Sequence, residues 1–227
     1  MWMSIAEPKL SRERIFATAL DLIEKTGVST LTMRSLARAL GVGTMSLYVY
    51  VRTKDEILDG IADRAIEAWH LTVDPATSWD EQVIGIFVEI ERQLEAQPGV
   101  LELLLLRSVE GPSVNAVRDT VVTIFLTAGF PPDHALQALG MLYAHTLGFA
   151  ASAHRAGRDA HEFENLPPSS YPHLSQVARH YDSRATPEAF RTGLGYLLAG
   201  LTADRPDVAT TDEAVEATRA EEVRRNA

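Results

Sequence analysis

Residues 31–54 read LTMRSLARALGVGTMSLYVYVRTK, and the spacing inside this stretch decides the fold. Met33, Leu36, Ala37 and Leu40 recur at helical intervals, Gly41-Val42-Gly43 interrupts them, and Leu47 and Val51 resume the pattern. Two helices that cross closely need a small residue at the crossing, and Ala37 supplies one. Four residues later the turn needs a positive φ, which Gly41 adopts without steric cost. Leu47 then pins the second helix to the core. The reading is a helix-turn-helix.

The outward side of the second helix suits a surface that reads DNA. Thr44, Met45, Ser46, Tyr48 and Tyr50 carry hydroxyls, a thioether and rings, and none is acidic. Thr and Ser can reach base edges, Met can pack against a thymine methyl, and Tyr can bond a phosphate oxygen. Thr44 is expected at the N-cap. The plainer alternative is a helical hairpin whose tyrosines are half-buried.

A net charge of −10 over 227 residues argues at first against nucleic acid. Its distribution argues the other way. Residues 1–54 hold eight Lys/Arg against four acids, a net of +4, so the remainder carries −14. A basic head on an acidic body turns the head toward phosphate. Hydrophobic content of 46% with 23% charged residues is that of a globular protein with a proper core. The absence of cysteine excludes a disulfide framework and thiolate zinc sites. No apolar run is long enough for a membrane span, and MWMSIAEPKL lacks a signal peptide's apolar region. The expectation is a cytoplasmic protein with no membrane partner.

Taken in order, residues 1–10 read as a short flexible arm, and Ser11 caps a helix with the stripe Ile15, Phe16, Ala19, Leu22, Ile23 that stops at Gly27. Thr53-Lys54-Asp55-Glu56 is a capping box that launches a helix through Ile57, Leu58, Ile61, Ala65 and Ala68 to about His70. Ser78-Trp79-Asp80-Glu81 reads as a second box opening a long helix stopped at Gln97-Pro98-Gly99, and Val100 to Leu106 as a short buried helix. Gly111-Pro112 opens another that stops at Gly129, and Pro131-Pro132-Asp133 one that runs to about Arg155. Residues 157–172 read as a loop, His173 to Tyr181 as a short helix, and Thr186-Pro187 as the start of the last strong stripe. No strand pattern appears. The fold class is all-α: an N-terminal three-helix domain with the helix-turn-helix, 1–56, a helical body, 57–204, and a flexible tail, 205–227.

The order FATALDLIEKTG, TMRSLA, LGVGTMSLYVYVRTKDEIL resembles the N-terminal domain of tetracycline-repressor (TetR) family regulators over roughly residues 11 to 66. Ser78-Trp79, Gly129-Phe130 and Thr146-Leu147-Gly148 give the body a looser likeness to the tetracycline-repressor branch. The resemblance implies that Thr32, Arg34, Thr44, Met45, Ser46, Tyr48, Tyr50 and Lys54 lie at the DNA. It aligns His70 with a ligand-contacting histidine. The branch's polar and aromatic contacts fall on Ile86 and Ile90, its metal-binding histidine has no counterpart between His70 and His134, and its acid after Thr-Leu-Gly is Ser152. The likeness therefore speaks for architecture and not for a magnesium–tetracycline ligand.

Small residues Gly140, Ala144 and Gly148 on one helix, with Gly193, Leu197 and Gly200 on the last, mark close helix packing. In the family two such helices from each subunit form a four-helix dimer interface; a tight crossing within one chain is the alternative. The seven histidines show no metal-ligand spacing, and GxSxG, P-loop and GxGxxG motifs are absent. The sequence thus points to a non-enzymatic regulator without cofactor or metal, most naturally a repressor. Its expected partners are an operator of double-stranded DNA, a second copy of itself and a largely apolar small-molecule effector. The effector would lie among His70, Ile86, Ile90, Arg107, Val121, Phe125, His145, Phe149 and Ser152. Two rivals remain open: an all-α ligand-binding or enzymatic protein that does not bind DNA, and an architectural DNA binder without effector.

Overall fold

The computed structural model describes residues 10–159, 167–178 and 186–203. Helix α1 (Arg12–Thr26) begins where Ser11 accepts a hydrogen bond from the Arg14 backbone N–H, 3.3 Å, and ends at Gly27. A 3-10 turn, Val28–Thr30, leads to α2 (Met33–Leu40). Thr32 and Ser35 form a reciprocal cap at its start: each side chain accepts from the other's backbone N–H, at 3.0 and 2.9 Å. At the far end Gly41 takes the left-handed conformation, φ 71 and ψ 24, so the chain reverses into α3 (Thr44–Leu47).

Here α3 is shorter than the pattern suggests. Tyr48 to Tyr50 continue as a turn, and Val51 is buried beyond the helix rather than within it. Gly43, not Thr44, is the N-cap of α3, and no side chain caps it; Thr44 is the first helical residue. Two other caps also differ from expectation. Thr53 does cap α4 (Lys54–Ala68), but Glu56 reaches past it to the Arg52 N–H at 2.7 Å, where Arg12 of α1 holds it at 2.6 Å. Ser78 stands at the N-cap of α5 (Trp79–Ala96) without a side-chain bond to it.

The body continues with α6 (Pro98–Leu106), α7 (Pro112–Thr127), α8 (Pro132–Asp159), α9 (Pro172–Ala178) and α10 (Pro187–Ala203). Proline stands in the first turn of α6 and α7, where its missing N–H costs nothing. Helix α8 extends through residues 157–159, which were expected to be loop. The arm before residue 10, residues 160–166 of the expected loop, the helix end at Tyr181 and the tail from 205 lie outside the described residues. Among the described residues there is no strand, and no helix is long and apolar enough to cross a membrane.

One apolar core runs from Ile15 to Leu198. Helix α4 packs on α1 and on α7; α6 packs on α1, α4, α5 and α8; α10 closes the far side against α5 and α8. Because α4 and α6 touch both α1 and the body helices, the position of the helix-turn-helix is tied directly to the body's packing.

Candidate functional site

The helix-turn-helix presents an outward face made of side chains from two short helices. Thr32, Arg34, Thr44, Met45, Ser46 and Tyr48 are exposed, Met45 by 77% and Tyr48 by 47%. Leu36, Ala37, Leu40 and Leu47 hold the reverse side in the core. Val49, 79% exposed, adds to the face and was not singled out from the sequence. Two expected members are placed differently. Tyr50 is half-buried against the core, and its carbonyl accepts from Arg12 at 2.8 Å. Lys54 is half-buried as well, with its ammonium donating to the Val28 carbonyl at 3.3 Å. The ammonium keeps further donors for a phosphate, while its stem braces the turn after α1.

Two hollows lie on either side of the α4–α7 contact. The larger, about 310 Å³, is lined by Ile66, Trp69, Phe87, Ile90, Leu104, Val114, Val117, Leu139 and a few polar groups, chiefly Arg118 and Tyr143. The second, about 280 Å³, contains His70, Ile86 and Glu67 and shares Ile66 and Val117 with the first. His70 follows the end of α4 with φ 48, a left-handed backbone more usual for glycine, and its side chain is exposed. The sequence-derived pocket set is therefore split. Ile90 enters the larger cavity, His70 and Ile86 the adjoining cleft, and the remainder lie elsewhere.

Those others have identifiable work in packing. Arg107 turns to α4 and pairs with Asp55 at 3.0 Å and Asp59 at 3.1 Å. Phe125 packs with Trp79 and Phe130, ring centroids 5.8 and 5.2 Å apart, and Val121 is wholly buried nearby in sequence. His145 stacks on Phe190 at 5.3 Å, with Phe149 5.0 Å from Phe190, at the crossing of α8 and α10. Ser152 is exposed and back-bonds to the Gly148 carbonyl at 2.9 Å. Aromatic residues that look like pocket walls in sequence instead pack on one another, which gains contact area without leaving space.

Trp69, Arg118 and Tyr143 escaped the sequence reading, although helical spacing carried a signal for each. Trp69 stands four after Ala65 and eight after Ile61, so it continues that stripe, whereas Ala68 is off it and exposed. Arg118 follows Val114 by four, and Tyr143 follows Leu139 by four.

Exposed small residues run along α8 as Gly140, Ala144, Gly148 and Ser152, flanked by exposed Leu136 and Met141. On α10, Tyr196 is 76% exposed beside Ala199 and Gly200. Gly140, Gly148 and Gly200 have open space where a Cβ would stand. Gly193 does not: a Cβ there would meet His145 Nε2 at 2.7 Å. Its glycine serves the α8–α10 crossing within the chain, and Leu197 is half-buried on the core beside it. Among the described residues no group of His, Asp and Glu is arranged to hold a metal ion.

An outward-facing helix-turn-helix, continuous through α4 with a helical body that encloses a cavity, defines the class of protein. Family comparison makes it specific. The model described as bacterial regulatory proteins, tetR family, matches residues 15–61, and that of the tetracyclin repressor-like C-terminal domain matches residues 73–205. The chain belongs to the TetR family. It is similar to an HTH-type transcriptional regulator of Saccharopolyspora erythraea, 31% identical over 145 residues, 64% of this chain and 61% of that one. It is also similar to the tetracycline repressor protein class D of Escherichia coli, 29% identical over 199 residues, 85% of this chain and 89% of that one. The chain thus spans only about three fifths of the first of these regulators. Among solved structures, the Streptomyces coelicolor TetR family protein ActR in complex with actinorhodin superposes with a TM-score of 0.74 at 25% identity, covering 88% of this chain and 100% of that one.

Proposed function

We propose that this protein is a cytoplasmic, non-enzymatic transcriptional repressor that binds a palindromic operator as a homodimer and is released by a largely apolar small molecule. The observation that carries the reading is the course of α4. It starts at Lys54 beneath the helix-turn-helix, and its last turn delivers Ile66 and Trp69 to the cavity wall. A ligand that favours one position of this helix by its own differential affinity would favour one placement of the head.

The division of labour follows. Residues 1–56 are the DNA-binding domain, with Thr32, Arg34, Thr44, Met45, Ser46 and Tyr48 as its reading face and Lys54 and Tyr50 in support. Residues 57–204 bind effector and partner. The exposed small stripe of α8 and the Tyr196–Gly200 face of α10 are the dimer surface, which would let two heads meet the two half-sites of a palindrome. The larger cavity, walled mostly by aliphatic side chains, is the effector site, with His70 at its outer annexe. Relatives named as transcriptional regulators and a ligand-bound ActR support the reading.

The test is to map the protein's binding across the intergenic DNA upstream of its own gene, then to titrate candidate ligands against that complex in metal-free buffer. Sequence-selective, salt-dependent retention that a small molecule reverses is the expected result. Absence of DNA retention would favour the ligand-binding rival; weak, unselective retention without ligand response would favour the architectural one.

A further inference from the structure

The larger cavity is lined by one donor without an acceptor and by one cation whose bonds go to neutral groups. Trp69 is 5% exposed, and its indole N–H is buried with no acceptor among the described residues. Arg118 lines the same cavity, half-buried, and donates to the Asn115 side-chain oxygen at 3.1 Å and the Val109 carbonyl at 3.3 Å. Both partners are neutral. Among the described residues the guanidinium thus has no carboxylate against its positive charge, and it has five N–H donors for those two acceptors. Tyr143 stands beside it: burial pushes the phenol above the usual tyrosine range, and the Arg118 charge works in the opposite direction.

Ile66, Phe87, Ile90, Val117 and Leu139 are among the apolar side chains of this lining. A positive charge beside such walls discriminates by the sign of what enters. An unpaired indole N–H adds a preference for an oxygen acceptor over a plain hydrocarbon.

Resting on the reading of this cavity as the effector site, we propose that the effector is an organic anion. Its apolar body lies along the aliphatic wall, an acidic oxygen pairs with Arg118, and an acceptor oxygen takes the Trp69 N–H. The acidity, and not only the hydrophobic body, selects it.

The probes are two dyes that share a ring body and differ in one sulfonate: 1-anilinonaphthalene-8-sulfonate and the uncharged N-phenyl-1-naphthylamine. Titrated by fluorescence into the full chain, the anionic dye is expected to saturate near one per chain and to bind about tenfold more tightly than the neutral dye. Arg118→Gln should weaken the anionic dye about tenfold and leave the neutral one within about twofold. Trp69→Phe, which keeps the ring and removes the donor, should weaken the anionic dye severalfold. Val117→Trp or Leu139→Trp, which fills the cavity, should abolish both, with thermal unfolding reporting that each variant folds. Should Arg118→Gln not fold, the ratio of the two dyes on the unaltered protein still decides. Equal affinity for both dyes, or anionic binding indifferent to Arg118→Gln, overturns the proposal while leaving the cavity as a site. Binding of both dyes undiminished in folded cavity-filling variants removes the cavity reading itself, and the proposal with it.

Discussion

Glu24 on α1 accepts a hydrogen bond of 2.9 Å from the backbone N–H of Gly99 in the first turn of α6, across 75 residues of sequence. A converse bond runs close by, from the Val28 N–H to Glu102 of α6 at 3.1 Å. Helix α4 is tied to the body in the same manner. Asp63 accepts from the Ser113 and Val114 N–H groups at the start of α7, at 2.7 and 3.2 Å, and Arg107 grips Asp55 and Asp59. A carboxylate at a helix N-terminus meets unpaired donors and the positive end of the dipole. Leu104 of α6 and Val117 of α7 line the larger cavity. An occupant that shifted α6 or α7 would therefore pull on a bond to α1 or to α4.

The paired carboxylates Glu24 and Glu102 should behave as one latch. Glu24→Ala and Glu102→Ala are each expected to lower unfolding stability by about 1 kcal/mol. The double variant should lose less than the two losses added, because both bonds hold α6 to the end of α1 and the turn that follows it. Chemical denaturation of the four proteins in the cycle measures this. Strict additivity would show that α1 and α6 are not held as a unit.

On the DNA face, exposure and charge separate two kinds of residue. Arg34 is exposed, so Arg34→Ala should weaken operator and random DNA alike and reduce the salt slope by about one phosphate per subunit. Lys54→Ala should do the same but also cost stability, since its ammonium reaches the Val28 carbonyl. Thr44 and Met45 substitutions should change sequence preference instead, by about 1–3 kcal/mol at the contacted base pair. Gel-shift titrations at several salt concentrations distinguish the cases; an Arg34→Ala protein with unchanged affinity and slope would remove this face from the interface.

These residues also show where the sequence was legible. Ala37, Gly41 and Leu47 specify a helix-turn-helix through local geometry alone, and helix starts at Ser11, Thr53, Pro112 and Pro187 follow from capping and proline chemistry that acts within one turn. The cavity is another matter. It arises where α4, α5, α6, α7 and α8 fail to fill the space between them, and no single helix's stripe reports that. Hence Val121, Phe125 and Phe149 look like pocket walls in their own stripes but pack against their neighbours. The same limit applies to Glu56, whose partner is set by Arg12 on another helix and not by its own capping box.

Gly193 shows how the dimer test must be chosen. Gly193→Leu would strike His145 inside the same chain, so loss of function there would report misfolding. Gly148 and Tyr196 are exposed, and the former has space for a side chain. Gly148→Leu and Tyr196→Glu should therefore leave each folded chain intact while weakening dimerisation by about 1–3 kcal/mol, through overpacking in one case and a buried charge in the other. Sedimentation equilibrium should show the shift toward monomer, with operator affinity falling in parallel. A wild-type chain that is monomeric at micromolar concentration would dispose of the dimer surface.

Glu91 offers a test by pH. It lies in α5 and is 5% exposed; burial and the nearby Glu95 push its carboxyl above the usual range, with His154 acting against them. A carboxyl whose pKa is higher in the folded than in the unfolded chain binds its proton more tightly when folded. It therefore favours the fold fully below its ordinary value of 4.5, and that contribution is lost as pH rises through the raised value. Above that ordinary value the folded wild-type protein must either keep an ionised group where its surroundings disfavour charge or take up a proton. Glu91→Gln, which keeps shape and removes the charge, should raise the thermal midpoint at neutral pH. As pH is lowered the wild-type carboxyl takes up its proton, and the difference between the two proteins should shrink and level off near pH 4.5. Thermal unfolding of both proteins across that range measures the gap. A variant less stable than wild type at pH 7, with the gap closing on acidification, would mean that ionised Glu91 is held by a stabilising pair and that the sign assigned here is wrong.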